Sequence, residues 1–232
     1  MGEDIDPADL TTALNASRVR LQRDHLDIVF LHLNTLPVAK AEPLFDVLEE
    51  AVSRSRIGAY GWSSDYPDAV NAVAKRPGFL AVQHAMNVFF DAPSMMKVVN
   101  RFELCSFNRS PLAMGLLTGK FNDGAAVQPG DVRLNSFHWM DYFKDGQVVP
   151  SFVERTEAVR DLLTVGGRSL AQGALGWLWA KSPATVPIPG ARTPEQALHN
   201  ASALEFGALP EAIMNEIENV LKRPPEGPAR ER

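Results

Sequence analysis

The chain has one cysteine, Cys105, in 232 residues. A single thiol has no internal partner, which excludes a disulfide framework and points to a reducing compartment. Positive charge is not in excess either. Lys and Arg number 23 against 28 Asp and Glu, a net charge of -5, whereas nucleic-acid binders usually carry a basic face. No apolar run is long: Leu170 to Ala180 is interrupted by Gln172 and falls short of the roughly 20 residues that span a bilayer. Met1 to Leu10 holds four acidic residues and lacks the apolar region of a secretory signal. No Gly-x-Gly-x-x-Gly follows the first apolar run, and there is no Gly-Lys-Ser/Thr phosphate loop. His25, His84, His138 and His199 lack metal-ligand spacing, so no metal is expected. The expectation left is a soluble, cytoplasmic chain, whose 45% hydrophobic content suffices for a sizeable core.

What is present is a repeating order of helical pattern and short apolar run. Leu10, Ala13, Leu14, Ser17 and Leu21 share one face of a helix. Asp27 to Leu33, Arg56 to Ser63, Phe79 to His84, Leu104 to Ser110 and Thr185 to Ile188 read as strands. The patterns around Leu44–Val52, Pro67–Lys75, Pro93–Phe102, Phe152–Leu163, Leu170–Ala180, Pro194–Ala203 and Pro210–Leu221 read as helices. Trp177 and Trp179 lie on different faces of theirs, so at least one belongs to the core. Strands alternating with helices predict βα units and a parallel sheet. Asn122 to Pro150 has no clear period and reads as a long functional loop; Tyr142 within it reads as a solvated loop residue. Residues 1–222 are taken as one domain and 223–232, rich in Pro and charge, as a disordered tail.

Five segments carry more specific information: LQRDHLDIVFLH at Leu21 to His32, IGAYGWSS at Ile57 to Ser64, VQHAMN at Val82 to Asn87, RSPLAMGLLTGKF at Arg109 to Phe121, and PIPGARTPEQALHN at Pro187 to Asn200. In their order and spacing, from about Asp9 to Leu221, the chain resembles the aldo-keto reductases. The resemblance implies a (β/α)8 barrel of the TIM type, with chemistry at the C-terminal ends of its strands. It implies hydride transfer between a nicotinamide cofactor, NADP(H), and the carbonyl of a small aldehyde or ketone. The five strands look like that barrel's fourth to eighth, so the barrel is expected to be incomplete. The family's tetrad is Asp, Tyr, Lys and His, and only the His has a match here, His32.

The resemblance also assigns cofactor contacts. Ser63, Ser64 and Gln83 match positions holding the nicotinamide carboxamide, whose donors and acceptors suit hydroxyl and amide partners; the family most often has Asn in place of Ser64. Arg109 stands where many members have an aromatic residue stacking on the nicotinamide, and a planar guanidinium can also stack; a salt-bridged rim residue is the other reading. Ser110, Leu112, Gly115 and Leu116 open the loop over the pyrophosphate, where glycine allows close approach and free N–H groups meet phosphate. Gly190, Arg192, Thr193, Gln196 and Asn200 surround a helix start that suits an anion. Arg192 is the expected partner of a 2′-phosphate, favouring NADPH over NADH. Thr193 to Gln196 also reads as a capping box. Two alternatives stay open: a non-catalytic remnant that binds cofactor or a partner, and a fragment or half of a split enzyme. The apolar end strands predict a homo-oligomer or a partner chain covering them.

Overall fold

Asp6 opens the first helix, its carboxylate accepting the Ala8 N–H at 2.8 Å, with Pro7 at the first helical position, where its missing N–H costs nothing. The computed structural model describes residues 6–121, 127, 130–135, 141–223 and 225–227. In chain order the elements are α1 (Pro7–Leu21), β1 (Leu26–Leu31), α2 (Val38–Ser53), β2 (Ile57–Ser63), α3 (Pro67–Val73), β3 (Phe79–Ala85), α4 (Pro93–Phe102) and β4 (Cys105–Arg109). A two-strand hairpin, β5 (Phe143–Lys144) and β6 (Gln147–Val148), precedes α5 (Pro150–Leu163) and α6 (Leu170–Lys181). Then come β7 (Thr185–Pro187), α7 (Pro194–Ala201), α8 (Ala203–Phe206) and α9 (Glu211–Leu221). Hydrogen bonds order the main sheet β1-β2-β3-β4-β7. Leu26 pairs with Ile57 and Leu31 with Trp62 in parallel register, and Trp62 pairs with Val82. This is the α/β parallel architecture expected from the alternating pattern. Among the described residues no helix is long and apolar enough to cross a membrane.

Two compact units divide the chain, the described parts of Met1–His84 with Pro93–Ser106, and Ala85–Ala92 with Phe107–Gly227. In the first, Phe45 of α2 packs on Tyr60 and Trp62 of β2 with ring centroids 5.7 and 5.3 Å apart. Tyr60 meets Phe79 edge-on at 5.7 Å, the offset geometry that ring quadrupoles favour. Gly61 permits this close sheet: a Cβ there would stand 2.2 Å from the Ala81 carbonyl oxygen. Helix α1 buries Leu14 alone, and Leu21 is exposed. The expected apolar face of α1 is thus largely uncovered.

In the second unit α6 is the core helix. Residues Leu170 to Leu178 are all buried, Trp177 completely and Trp179 partly. Its start is a true capping box, with Ser169 Oγ accepting the Gln172 N–H and Gln172 Oε1 accepting the Ser169 N–H. Helix α7 is the opposite case, with no buried residue. The expected single helix over 194–203 breaks at Ser202, and α8 follows. The segment expected as a long loop without clear period holds a 3-10 turn at Val132–Leu134 and the β5–β6 hairpin. Tyr142 is buried rather than solvated, packed on Phe89 and Phe152, and its hydroxyl accepts a 2.8 Å hydrogen bond from Asn87 Nδ2. Aromatic packing overrides the polar composition of its neighbours. The expected tail, 223–232, lies mostly outside the described residues.

Candidate functional site

The site residues of the first unit gather at the C-terminal end of β2. Ser63 and Ser64 are buried there, although both are polar, and each is satisfied by a named partner. Ser63 Oγ donates to Gln83 Oε1 at 3.1 Å. The Ser64 N–H donates to the Gln83 carbonyl at 3.0 Å, and Ser64 Oγ donates to the Asn34 carbonyl at 3.2 Å. Asn34 Oδ1 in turn accepts the Asp65 N–H at 2.7 Å. Trp62 Nε1 donates to the Leu33 carbonyl at 3.0 Å. Residues 33 and 34 are therefore pinned to the end of β2, which fixes the backbone that carries His32. His32 lies one residue beyond β1 and is exposed, so its imidazole is open to a ligand. Asn34 escaped the sequence reading because its part is played mostly by backbone and by Oδ1 as an acceptor, which no motif spells out.

In the second unit Arg109 closes β4 and is half-buried. The segment after it turns sharply. Ser110, Ala113, Met114 and Gly115 all have positive φ, at 54°, 47°, 55° and 92°. For residues with a Cβ this region costs roughly 1–2 kcal/mol each, so Ala113 and Met114 hold local strain that their surroundings must offset. Leu112 and Leu116 are buried and anchor the segment from within. Arg133 anchors it from outside, with Nη1 donating to the Met114 carbonyl at 2.8 Å. The Gly115 N–H donates to the Leu112 carbonyl at 2.9 Å, because the tight left-handed turn brings those two groups together.

Around Gly115 stands a charged cluster that the sequence reading found only in part. A Cβ at Gly115 would lie 3.2 Å from Lys120 Cε and 3.4 Å from Arg133 Nη1, so the two cations flank the glycine. Both lie over the Phe121 ring, Lys120 Nζ at 4.7 Å and the Arg133 guanidinium at 5.0 Å from its centroid, a placement favoured by the ring's negative face. Asp131 pairs with Arg133 at 2.5 Å and with Arg192 at 2.9 Å. Hydrogen bonds from Arg133 above all, with those from Arg192, hold the Asp131 carboxyl well below the ordinary carboxylate range. Lys120 is pushed below the ordinary lysine value by burial first, then by repulsion from Arg133 and Arg192. Three cations around one carboxylate leave an excess of positive charge, which is the chemistry a phosphorylated ligand requires. The missed residues had weak signals. Lys120 sits in the LLTGK segment, while Asp131 and Arg133 are a pair two residues apart in a stretch with no period.

Arg192 keeps 71% of its side chain exposed beside this pair, so a ligand can reach it. Thr193 caps α7, accepting the Gln196 N–H at 3.3 Å. The expected reciprocal arm does not form: Gln196 Oε1 accepts the Arg192 N–H at 2.8 Å instead of that of Thr193. The Gln196 side chain reaches one residue further back and fixes the backbone of Arg192. Asn200 Nδ2 donates to the Gly190 carbonyl at 3.4 Å, closing the 190–200 segment on itself. His199 bonds Ser169 Oγ at 2.8 Å and is directed to the start of α6.

The sequence profile of the Aldo/keto reductase family matches residues 1–222. Among curated relatives, the oxidoreductase YqkF of Bacillus subtilis, described as uncharacterized, is 24% identical over 95% of this chain and 68% of its own length. The NADP(+) aldo-keto reductase yakc of Schizosaccharomyces pombe is 24% identical over 91% of this chain and 62% of its own. The solved glycerol dehydrogenase of Gluconobacter oxydans superposes with a TM-score of 0.80 at 19% identity, over 99% of this chain and 69% of that one. The chain thus spans about two thirds of the length of these relatives. Likeness at that identity shows the fold alone, and the fold is that of the aldo-keto reductase barrels.

Proposed function

We propose that this chain, a member of the Aldo/keto reductase family, binds NADP(H) and serves the reduction of a small aldehyde or ketone. The observation that carries the reading is the excess of positive charge formed by Lys120, Arg133 and Arg192 around Asp131. Lys120 would hold the pyrophosphate beside the segment Ser110, Leu112, Gly115 and Leu116, which Arg133 fixes in place through the Met114 carbonyl. Arg192 would meet a 2′-phosphate, with Gly190, Thr193, Gln196 and Asn200 shaping the backbone around it. Ser63, Ser64 and Gln83 would hold the carboxamide, their neutral donors and acceptors matching it. Arg109 would lie against the nicotinamide face. The bound cofactor would supply the hydride.

His32 would donate a hydrogen bond to the carbonyl oxygen and orient it. Its exposed ring and the pinning of residues 33 and 34 by Trp62 and Ser64 support that part. Proton donation has no candidate among the residues matching the family pattern here. Tyr142 does not replace it, since its hydroxyl is buried and bonded to Asn87. The expected result is saturable NADPH binding, read by tryptophan quenching, with aldehyde reduction roughly 10²–10⁴-fold below that of an enzyme with a positioned acid. Absence of NADPH binding would contradict the reading. Ordinary turnover abolished by His32→Ala would show a proton source outside it.

We also propose that the strands at the two ends of the main sheet, β1 and β7, associate with a further chain. Ile28, Val29 and Phe30 are only partly buried, and Val186 and Ile188 are about 40% exposed. Sedimentation at micromolar protein should show a species larger than the monomer; a sharp monomer boundary would contradict this.

A further inference from the structure

A second cationic cluster lies at the other end of β2, about 20 Å from Ser63 by the rise of the strand. Here α1, α2 and the first residues of β2 enclose a pocket of about 50 Å3. A single water requires only about 10–15 Å3 of such volume, so there is room for a group of several oxygens. Leu14, Val47 and Ile57 are among its apolar lining, and Arg18, Arg54 and Arg56 line it too. One acid, Glu50, is in the lining. It is already paired with Arg54, four residues on, at 2.5 Å. Arg18 donates through Nε to the Asp24 carbonyl at 2.8 Å, and its terminal nitrogen is 3.8 Å from the exposed Asp24 carboxylate. Arg56 is half-buried, yet its guanidinium has no hydrogen-bond or ion-pair partner among the described residues. The Asn15 amide, one helical turn from Arg18 on the same face of α1, has none either.

A half-buried cation without a partner is costly unless something neutralises it. The pocket offers that position to a ligand and offers mostly donors around it. We propose that it binds a tetrahedral oxyanion, a phosphate group free or on a small molecule, held by the Arg56 and Arg18 guanidinium forks and the Asn15 amide. Forked donors match two oxygens of a phosphate at once. The site involves none of the residues assigned to the cofactor, so the two readings stand or fall separately.

The test follows the arginine Nε–H resonances of the full chain during titration with inorganic phosphate, with glycerol phosphate as the esterified arm and acetate as the planar comparator. The expected result is a saturable shift of Arg56 and Arg18 with both phosphates, persisting in Arg192→Ala protein. Arg56→Gln should weaken the response of Arg18 by about tenfold, the loss of one charged hydrogen-bonding partner. Arg18→Gln should weaken that of Arg56, so the result does not hang on one variant. A shift by inorganic phosphate alone would confine the site to the free ion, while a shift by both extends it to phosphate esters. No saturable shift, an equal response to acetate, or a phosphate response of Arg18 unchanged by Arg56→Gln would overturn the proposal.

Discussion

Ser63, Ser64 and Gln83 are neutral, and each has partners within its own unit: hydroxyl to amide, amide to carbonyl, hydroxyl to the Asn34 carbonyl. Lys120, Arg133 and Arg192 are instead all positive and lie around a single carboxylate, Asp131. The first group has little to gain electrostatically from a ligand and can only exchange one set of hydrogen bonds for another. The second has charge to be neutralised. The neutral group therefore suits orientation of a carboxamide, and the charged group suits affinity and the choice between phosphorylated and unphosphorylated cofactors. It should respond to salt and pH, while the neutral group should not.

The comparison breaks most visibly at Arg133. Its side chain and that of Asp131 are both under 10% exposed. Arg133→Ala should cost about 3 kcal/mol in urea unfolding, since it leaves a buried carboxylate with only the exposed Arg192 and removes the tie to Met114. An effect near zero would show that the pair is not buried in solution. Ser63→Ala should cost about 1 kcal/mol, one neutral hydrogen bond. It should leave the ratio of NADPH to NADH affinity unchanged. A changed ratio would erase the distinction between the groups.

Acid should separate them too. The Asp131 carboxyl titrates below its ordinary value in the folded chain. Its contribution is therefore fully present above an unfolded value of about 4 and is lost as pH falls through the lower folded value. The stability difference between wild type and Asp131→Asn should shrink on acidification below about pH 4. The same comparison for Ser63→Ala should be flat. The smallest effect concerns Lys120, whose value is lowered in the free chain. An anion beside it would raise that value again, so NADPH binding at alkaline pH should take up a fraction of a proton. Calorimetry in buffers of different ionisation enthalpy detects this.

The same contrast governs what could be read before the structure. The strands and their parallel order follow from contiguous apolar runs, which are local patterns, and the neutral trio came from the family resemblance of the segments that hold Gly-Trp-Ser-Ser and Val-Gln-His. The charged cluster draws on residues 120, 131, 133 and 192; Lys120 and Arg192 sat in recognisable segments, whereas Asp131 and Arg133 did not. Its assembly depends on aromatic packing, Phe121 against Phe143 with centroids 5.0 Å apart, inside a stretch whose two-residue strands are too short to show any period. The same short-range packing buries Tyr142, which polar neighbours such as Asp141 and Lys144 disguise. Covering also escapes local patterns: α6 and α7 both carry apolar residues, yet the first is buried on all sides and Leu198 of the second is 71% exposed.

Calorimetric titration of NADPH and NADH into wild-type and Arg192→Ala protein tests the account most directly. It predicts tighter binding of NADPH by the wild type. In the variant, NADPH should weaken by roughly 1–3 kcal/mol, the worth of a charged hydrogen bond to phosphate, while NADH scarcely changes. Equal affinity for the two cofactors, in the wild type and in the variant alike, would contradict it.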